Sequence, residues 1–343
     1  MVTAYIGMHG ALLVARRTGE RWQSERHLEG AQIACLAADP LRPELVYCGT
    51  LGGELWRSDD AGRTWRLVAG KLPHEQITAL AVSPVERAGG AGVVYAGTEP
   101  TALFRSEDGG ATWQDRSGLT ELPSAASWSF PPRPWTHHAR WIALDPLAPG
   151  RLWVCAEAGA TVRSEDAGLS WVDRGPDTPF DTHTLRTHPL APGRLYAAAG
   201  DGLMQPGRGY AESRDGGATW EYLGEGMRSH YLWGLAVDPA DPETVVVSAA
   251  ADPQRAHNPR GAESTLYRRS AGEPWQEIPA AEPAGTLATV LAANPAEPHV
   301  FYAANNRGLF RSPDAGRSWE RIALEWPDDP LQYRPAALEV VEV

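Results

Sequence analysis

The chain has 343 residues and a formal net charge of -12, from 43 acidic and 31 basic residues. Phosphate binding needs a dense cationic face, so this balance argues against nucleic acid as a partner. No apolar run approaches the roughly 18 residues of a membrane helix, so we expect no membrane partner either. The 14 tryptophans, 35 glycines and 29 prolines are typical of many short strands joined by tight turns.

The first residues, MVTAYIGMHGALLVARR, contain no basic leader before the apolar stretch and no small-residue cleavage site. A secretory signal peptide has both features, so we expect a cytoplasmic protein. The three cysteines, an odd number, agree with that address because thiols stay reduced there. We therefore expect Cys35 and Cys48 to be buried free thiols rather than a disulfide.

Tryptophans recur along the chain at a period of about 40 to 60 residues, which is the size of a propeller blade. One unit reads, in chain order, ITALAVSP, GVVYAGT, ALFRS, a polar tip that ends in tryptophan, and a last short strand. Apolar or alternating segments joined by turn residues indicate a four-stranded antiparallel meander. The sequence therefore predicts an all-β, seven-bladed β-propeller, one domain over residues 1–343. The repeat tryptophans are Trp22, Trp65, Trp113, Trp171, Trp220, Trp275 and Trp319.

Five of the seven units carry the phrase Ser-x-Asp-x-Gly-x-Thr/Ser-Trp, as in FRSEDGGATWQ at 104–114. Serine and aspartate side chains accept backbone N–H bonds in a tight turn, glycine supplies a positive φ, and tryptophan fills the wedge between neighbouring sheets. Near-equal copies in most units indicate a structural staple rather than a calcium or catalytic site. We call these turns the Asp tips, and their aspartates are Asp60, Asp108, Asp166, Asp215 and Asp314.

The Asp tips resemble the BNR or Asp-box repeat of sialidases, sortilin-type receptors, certain xyloglucanases and photosystem II assembly factors. The resemblance covers nearly the whole chain and implies a β-propeller in which each repeat forms one blade. Two repeats depart from the pattern, because RRTGERWQ, around Trp22, and RRSAGEPWQ, around Trp275, lack the aspartate. We expect those two hairpins to turn differently.

The two ends of the chain predict how the ring closes. The chain starts in the middle of a unit and ends, after the seventh repeat tryptophan, with the strand-like segment ALEVVEV. We expect residues 336–343 to supply the inner strand that the first blade lacks. A ring closed in this way has no free sheet edge, which removes a common cause of aggregation.

Strand connections in a meander alternate between the two ends of a blade, whose strands we letter A to D from the channel outward. The B-to-C and D-to-A loops share one end, which we call the mouth, and the A-to-B turns share the other end with the Asp tips. Three long loops open on the mouth, in SAASWSFPPRPWTHHAR, GDGLMQPGRGY and ADPQRAHNPRGAES. Proline-stiffened aromatics beside arginines suit a planar or anionic ligand, although the tryptophans suit a lid packed on its own blade equally well. The expected wall consists of Trp128, Phe130, Trp135, Arg208, Tyr210, His257 and Arg260.

The inner strand of blade five, DTHTLRTHP, breaks the pattern of the others. Three residues before the terminal proline it has Arg186, where an arginine must find partners or open water. Directly before the proline it has His188, where most other blades have Asp, Ser or Asn. Breaks of this kind tend to mark functional or strained sites. The residues at the Arg186 position in other blades are Ala37, Ala81, Ala143, Ala236 and Ala292.

Titratable side chains from several blades converge on the mouth in this topology. We therefore expect a pocket there for a small polar or anionic ligand, a sugar included. The candidate residues are His9, Glu99, His138, Arg140, Glu157, Asp181, His183, Arg186, Asp201, Arg208, His230, Tyr231 and His257, with Asn306 beside them.

The resemblance to sialidases implies a glycosidase as one hypothesis. Those enzymes hold a substrate carboxylate with three arginines and use a tyrosine nucleophile paired with a glutamate, plus an aspartate acid/base. Their Phe/Tyr-Arg-Ile-Pro motif is absent, since FPPRP at 130–134 does not match it, and sialidases have six blades, so we do not expect neuraminidase activity. The xyloglucanase type clamps its substrate between two propellers, and this sequence predicts one. The candidates are Arg140, Arg208, Arg260 and Arg307 for an anion and Tyr210 or Tyr333 for a nucleophile.

Two further hypotheses come from other classes. Metal-assisted hydrolysis or lyase chemistry would use a divalent ion held by His138, His183 and His230 from adjacent blades. Glu157 or Asp201 would lie near that ion. A binding or assembly scaffold with a protein partner, like the assembly factors that share these repeats, would use no chemistry. Fold alone does not decide among these functions.

Overall fold

Seven antiparallel sheets stand around a central channel in the computed structural model, which describes residues 1–68, 72–129, 136–279, 284–327, 329 and 333–343. The protein is a seven-bladed β-propeller, as its repeats predict. The innermost strand of each sheet contacts the innermost strands of both neighbours, so the sheets form a closed ring. None of the helices in the described ranges combines the length and apolar character needed to span a lipid bilayer.

Each blade is a meander that runs from the channel to the rim. Blade one contains β1 (Val2–Met8), β2 (Leu12–Thr18) and β3 (Arg21–His27), and blade two contains β4 (Ile33–Asp39), β5 (Arg42–Thr50), β6 (Leu55–Ser58) and β7 (Arg66–Leu67). Blade three contains β8 (Gln76–Ala88), β9 (Ala91–Glu99), β10 (Leu103–Ser106) and β11 (Gln114–Asp115), and blade four contains β12 (Ala139–Leu144), β13 (Leu152–Ala156) and β14 (Ala160–Ser164).

The remaining strands complete the ring. Blade five contains β15 (Thr182–Thr187), β16 (Leu195–Ala199), β17 (Tyr210–Ser213) and β18 (Glu221–Tyr222), and blade six contains β19 (Tyr231–Asp238), β20 (Asp241–Ala250), β21 (Thr265–Arg269) and β22 (Gln276–Ile278). Blade seven contains β23 (Val290–Ala293), β24 (Phe301–Asn305), β25 (Gly308–Ser312) and β26 (Glu320–Arg321), and the last strand is β27 (Pro335–Glu342). The short helices are Ser117–Glu121, Pro123–Ser127, Gly200–Leu203 and α1 (Pro253–His257).

The prediction that the end of the chain closes the ring is confirmed. Strand β27 pairs antiparallel with β1, from Val2 opposite Glu342 to Met8 opposite Pro335. It therefore forms the innermost strand of blade one, between β4 and β23. Because β27 packs Leu338 and Val340 into the core, closure also buries apolar surface.

Buried aromatics on the second strand of most blades fill the space between neighbouring sheets. They come from recurring sequences such as VYCG, VYAG and FYAA, whose apolar character suits strands buried on both faces. Each is almost completely excluded from solvent, which contributes about 1.5–3 kcal/mol per side chain before entropy is counted. These residues are Tyr5, Tyr47, Tyr95, Trp153, Tyr196 and Tyr302.

The Asp tips have the local structure that the sequence predicts. In blade five, the Ser213 hydroxyl donates to Asp215 Oδ1 at 2.8 Å, and the two Asp215 oxygens accept from the backbone N–H and the hydroxyl of Thr219 at 2.8 and 2.7 Å. Gly217 has a φ of 86° and donates its N–H to Ser213 Oγ at 2.8 Å. The other four tips repeat these contacts. Each tip is thus complete within its own turn.

The Asp tips lie at the end of the propeller that carries the A-to-B turns. The N–H of Ala167 donates to Gly150 O at 2.8 Å, and the N–H of Gly216 donates to Gly193 O at 2.8 Å, in each case joining tip to A-to-B turn. The tip tryptophans reach between blades, as Trp65 does with its ring edge against Tyr5 at 6.4 Å. The B-to-C and D-to-A loops therefore open at the opposite end, the mouth.

The two repeats that lack the aspartate turn differently, as expected. Around Trp275, the N–H of Glu273 donates to the carbonyl oxygen of Ser270 at 3.0 Å. In blade one, Thr18 pairs directly with Arg21, so a two-residue hairpin with Gly19 at a φ of 63° replaces the tip. The expectation of free thiols is also confirmed, since the three cysteines are buried and unbonded to each other. In the strand register Cys48 lies opposite Leu36 rather than opposite Cys35.

Candidate functional site

A cluster of charged and aromatic side chains occupies the mouth of the channel. Blades four, five and six supply eight of these side chains, and the segment before β27 supplies the ninth. We call this set the mouth cluster: His138, Arg140, Glu157, Asp181, His183, Tyr231, Trp233, His257 and Arg334.

A bulge in the inner strands positions three of these side chains. The pairing of β12 with β13 skips Arg140, and the pairing of β15 with β16 skips His183. In blade six the register shift falls at Trp233 and Gly234. A β-bulge leaves its extra residue unpaired and re-aims that side chain. The three side chains thus stand at the same level of three adjacent strands, six residues before each terminal proline.

Glu157 is the centre of the cluster. Its Oε2 accepts a hydrogen bond from His138 Nε2 at 2.8 Å and lies 3.6 Å from Arg140 Nε, while its Oε1 lies 3.7 Å from His183 Nε2. Burial alone would raise the pKa of Glu157. The His138 hydrogen bond and the surrounding positive charges outweigh burial and lower that pKa to about 2. Glu157 is therefore ionised at neutral pH.

His183 is held in one orientation on the floor of the cluster. The ring is fully buried, and its Nδ1 donates to the carbonyl oxygen of Leu232 at 2.6 Å. Its Nε2 therefore faces the cluster, 3.6 Å from Asp181 Oδ2 and 3.5 Å from the Tyr231 hydroxyl. The other Asp181 oxygen accepts from the N–H of Ala158 at 2.9 Å. Burial raises the pKa of Asp181; His183 lowers it, and Glu157 raises it again.

A chain of hydrogen bonds runs along the opposite wall. Arg334 Nη2 donates to His257 Nδ1 at 2.6 Å, and His257 Nε2 lies 3.1 Å from the Tyr231 hydroxyl. Burial, and then the charge of Arg334, lower the pKa of His257 to about 2. His257 is therefore neutral, accepts from Arg334 and donates its Nε2–H to Tyr231.

Two arginines share the ring of Trp233. The Cζ of Arg140 lies 4.5 Å from the ring centroid, and that of Arg334 lies 6.0 Å from it. Burial and the positive charge of Arg140 both lower the pKa of Arg334. The two cations are thus close enough to repel each other in a site with little solvent, which favours an anion between them.

Three other candidates, Glu99, His9 and Asp201, lie next to the cluster and interact with its members or with the loops that carry them. Glu99 Oε2 lies 4.0 Å from His138 Nδ1. Burial, and then the positive charge of Arg334, lower the pKa of His9. Asp201 accepts the backbone N–H groups of Phe180 and Asp181 with its two oxygens, at 2.9 and 2.8 Å, so it holds the loop that carries Asp181.

Arg186 lies deeper, in a channel cavity of about 370 Å³. Its guanidinium stacks on Trp141 at 4.7 Å and donates to the carbonyl oxygen of Leu235 at 3.3 Å. Glu339, on the closing strand, lines the same cavity. Burial raises the pKa of Glu339 to about 7, against the opposing effect of Arg186. The arginine at the alanine position thus points into the channel, and its hydrogen-bond partners are the carbonyl oxygens of Leu235 and Leu291.

Other predicted residues lie away from the cluster. Arg208 stacks on Tyr222 at 4.5 Å and pairs with Asp177 at 3.5 Å. His230 accepts from the N–H of Gly207 at 3.4 Å through its Nδ1. Tyr210 is buried inside blade five, where its hydroxyl donates to Glu212 at 2.8 Å. Each of these side chains contacts residues of its own loop or a neighbouring part of its sheet instead of the mouth cluster.

The remaining loop residues do not form the expected wall either. Trp128 is buried over Gly159 and donates to Ser124 Oγ at 3.1 Å, which is the alternative of a lid packed on its own blade. Arg260 donates its backbone N–H to Asn258 in an exposed loop. Phe130, Trp135 and the segment 130–134 lie outside the described residues.

His188 has a structural explanation. Its Nδ1 accepts from the N–H of Leu190 at 3.2 Å, and its Nε2 lies 2.9 Å from the carbonyl oxygen of Asp238. In other blades the residue before the proline accepts the same backbone N–H, as Asp145 does from Leu147 at 2.8 Å. His188 therefore replaces an aspartate in the turn beside the Asp tips, far from the mouth.

Trp233 and Arg334 are the two members of the cluster that the sequence candidates omit. A signal for Trp233 exists, because the inner strands have Ala34, Thr78 or Thr289 six residues before the proline, and only blades four to six have a large side chain there. Arg334 gives no such signal, since it precedes a strand that has no terminal proline to align.

Comparisons with known proteins support the fold. No family model and no curated protein matches the chain. Among solved structures, it is similar to a GH74 xyloglucanase from Xanthomonas campestris, with 20% identity over 99% of this chain and 52% of that one and a TM-score of 0.67. A GH74 enzyme from Niastella koreensis has 17% identity over 93% and 54% of the two chains, with a TM-score of 0.62.

A third similar structure is YCF48 bound to a D1 peptide. The identity is 16% over 85% of this chain and 82% of that one, with a TM-score of 0.56. At such identities these similarities establish the β-propeller alone. The chain spans about half the length of the two GH74 structures.

Proposed function

We propose that this protein is an Asp-box β-propeller that binds a small anionic ligand at the mouth of its channel. The observation that carries the proposal is the pair of arginines, Arg140 and Arg334, on the ring of Trp233. A guanidinium group can donate two parallel hydrogen bonds to the oxygens of one carboxylate or phosphate, and the aromatic ring holds the two cations in place.

The charges around the two arginines differ in a way that favours an incoming anion. Arg140 lies near the ionised Glu157, which offsets part of its charge. The hydrogen bond of Arg334 goes to the neutral His257. Burial removes water from the Arg334 guanidinium. A ligand carboxylate or phosphate beside Arg334 would therefore supply the interactions that water no longer provides. The Tyr231 hydroxyl would contact the polar remainder of the ligand.

The test is a binding assay with matched ligands. Glucuronate and glucose differ by one carboxylate, and inorganic phosphate and citrate extend the anionic set. We expect an anion to raise the unfolding temperature and glucose to leave it unchanged, because a ligand selective for the folded state stabilises it.

Variants locate the site. Arg334→Gln and Arg140→Gln should each weaken binding of the best anion about 10- to 100-fold, the worth of one charge-assisted contact. Arg208→Gln, at a partly exposed arginine outside the cluster, is the matched control and should bind as the unaltered protein does. Equal weakening by Arg208→Gln, or no binding of any anion in the panel, would contradict the proposal.

A glycoside hydrolase is the second candidate, favoured by one specific observation. Glu157 and Asp181 face the same imidazole, and their pKa values are moved in opposite directions, to about 2 for Glu157 and upward for Asp181. Such a pair suits an acid and a base. Release of reducing sugar from an oligosaccharide by the unaltered protein, abolished by Asp181→Asn, would favour this candidate.

A scaffold with a protein partner is the remaining alternative. YCF48, with a similar fold, is bound to a D1 peptide in its structure. An anion and an acidic peptide would compete for Arg140 and Arg334, so displacement of the anion by a peptide carboxylate would extend the proposal to a protein partner.

A further inference from the structure

The floor of the mouth cluster holds one imidazole and two carboxylates that face one another. We propose that Glu157, Asp181 and His183 bind a divalent transition-metal ion, with Zn²⁺ and Mn²⁺ as the best fits. This inference is independent of the anion-binding proposal, which uses the arginine side of the cluster.

The distances between the three side chains suit an ion better than direct hydrogen bonds. His183 Nε2 lies 3.7 Å from Glu157 Oε1 and 3.6 Å from Asp181 Oδ2, both too long for a hydrogen bond. The three ligand atoms all lie within 4.8 Å of one another. Ligand atoms at about 2.1 Å from one ion stand roughly 3–3.5 Å apart, so small rotations would complete the coordination.

The outer atom of each side chain is already held by the protein. His183 Nδ1 donates to Leu232 O at 2.6 Å, which turns Nε2 toward the two carboxylates. Glu157 Oε2 accepts from His138 at 2.8 Å, and Asp181 Oδ1 accepts from the N–H of Ala158 at 2.9 Å. Metal ligands in proteins are oriented by such outer contacts, and these are present for all three.

The ligand set limits the identity of the ion. One nitrogen and two carboxylate oxygens suit Zn²⁺ or Mn²⁺, whereas Ca²⁺ and Mg²⁺ prefer oxygen alone. Two carboxylates balance the double charge, and Arg140 approaches the Glu157 oxygen that is turned away from His183. Three protein ligands leave positions open for water or for an oxygen of a bound ligand.

The set differs from the three histidines that the sequence indicated. Of those, His183 alone belongs to the group of ligand-type side chains that the described residues bring together. His138 donates to Glu157, and His230 accepts from Gly207. The two carboxylates come from other loops of the mouth, since Glu157 lies in the B-to-C loop of blade four and Asp181 lies directly before β15, the strand that carries His183.

The experiment measures metal binding by protein purified without a histidine tag and stripped with a chelator. Dialysis against Zn²⁺ or Mn²⁺ should leave close to one equivalent bound, and the bound metal should raise the unfolding temperature. Asp181→Asn and Glu157→Gln should each weaken binding by at least about tenfold. His230→Gln, an imidazole at the same mouth but outside the group, should bind as the unaltered protein does.

Asp181 is partly exposed, so its variant should fold even if loss of the buried Glu157 charge destabilises the protein. Less than about a tenth of an equivalent in the folded unaltered protein, or unchanged binding by Asp181→Asn, overturns the inference. Anion binding by the chelator-treated protein is measured in parallel. Metal binding that fails while anion binding persists refutes this inference alone, and the reverse result refutes the proposed function alone.

Discussion

The two ends of the propeller hold carboxylates with similar properties and different causes. Asp215, at an Asp tip, has its pKa lowered to about 2, chiefly by the backbone N–H of Thr219 four residues away. Glu157, at the mouth, also has a pKa of about 2, although burial raises that pKa. The hydrogen bond from His138 and the charges of His138, His183 and Arg140, which come from two blades, lower it. The first is a property of a turn and the second is a property of the assembled ring.

This difference separates the repeated part of the molecule from the part that occurs once. A tip whose hydrogen bonds all lie within one turn can repeat from blade to blade, because it does not depend on the neighbouring blades. The mouth cluster depends on one copy each of side chains from blades four, five and six and from the segment before β27. Residues that occur once, at a level where other blades carry small side chains, therefore mark the mouth cluster.

Breaking the ring should have the largest effect. Deletion of residues 336–343 removes nearly all of β27, including the buried Leu338 and Val340, and exposes the inner edge of β1 and the core that these side chains cover. We expect a loss of at least about 5 kcal/mol and no cooperative unfolding near the original temperature. Circular dichroism on heating measures this, and deletion of Val343 alone is the control, expected to change stability by less than about 0.5 kcal/mol. A normal unfolding transition after the longer deletion would show that the mouth does not need closure.

The lumen carboxylate should give a pH dependence opposite in sign to that of the tips. The folded pKa of Glu339, about 7, lies above its unfolded value of about 4.3, so the folded state binds the proton more tightly. Stability should therefore fall as pH rises between about 4.5 and 7, by on the order of 2–3 kcal/mol.

Glu339→Gln should remove that fall. Urea unfolding at several pH values measures it, and Glu342→Gln, on the exposed end of the same strand, should leave the slope unchanged. An unchanged slope in Glu339→Gln would mean that the carboxylate is ionised and compensated in the folded channel.

A change at one tip should have the smallest effect and should spare the mouth. Asp215→Ala removes three hydrogen bonds from a mostly exposed turn, and we expect a cost of about 1 kcal/mol after solvent screening. Because the folded pKa of Asp215 is depressed, that contribution is present above about pH 4 and is lost as pH falls toward 2.

Asp60→Ala should cost the same amount, since the contacts repeat in blade two. Both variants should bind anions and metal as the unaltered protein does, which binding assays at neutral pH check. A tip variant that impaired binding would break the separation of the two ends.

The fold could be derived from the sequence because its signals are local. The repeat tryptophans, the Ser-x-Asp-x-Gly turns and the strand-like tail each act within a few residues or at a fixed period. The bulge at Arg140, His183 and Trp233 could not be derived, because a bulge is a property of how two strands pair. His188 misled for the related reason that its partner, Asp238, lies on another blade.

The sequence by itself determined the number of blades, the geometry of the Asp tips and the end of the propeller at which they lie. The tertiary structure alone decided which side chains meet there. It joined Arg334, from the end of the chain, to His257 and Trp233, and it brought Glu157 and Asp181 to one imidazole. Local turns depend on neighbours along the chain, whereas a site between blades depends on distances that exist only after the ring has closed.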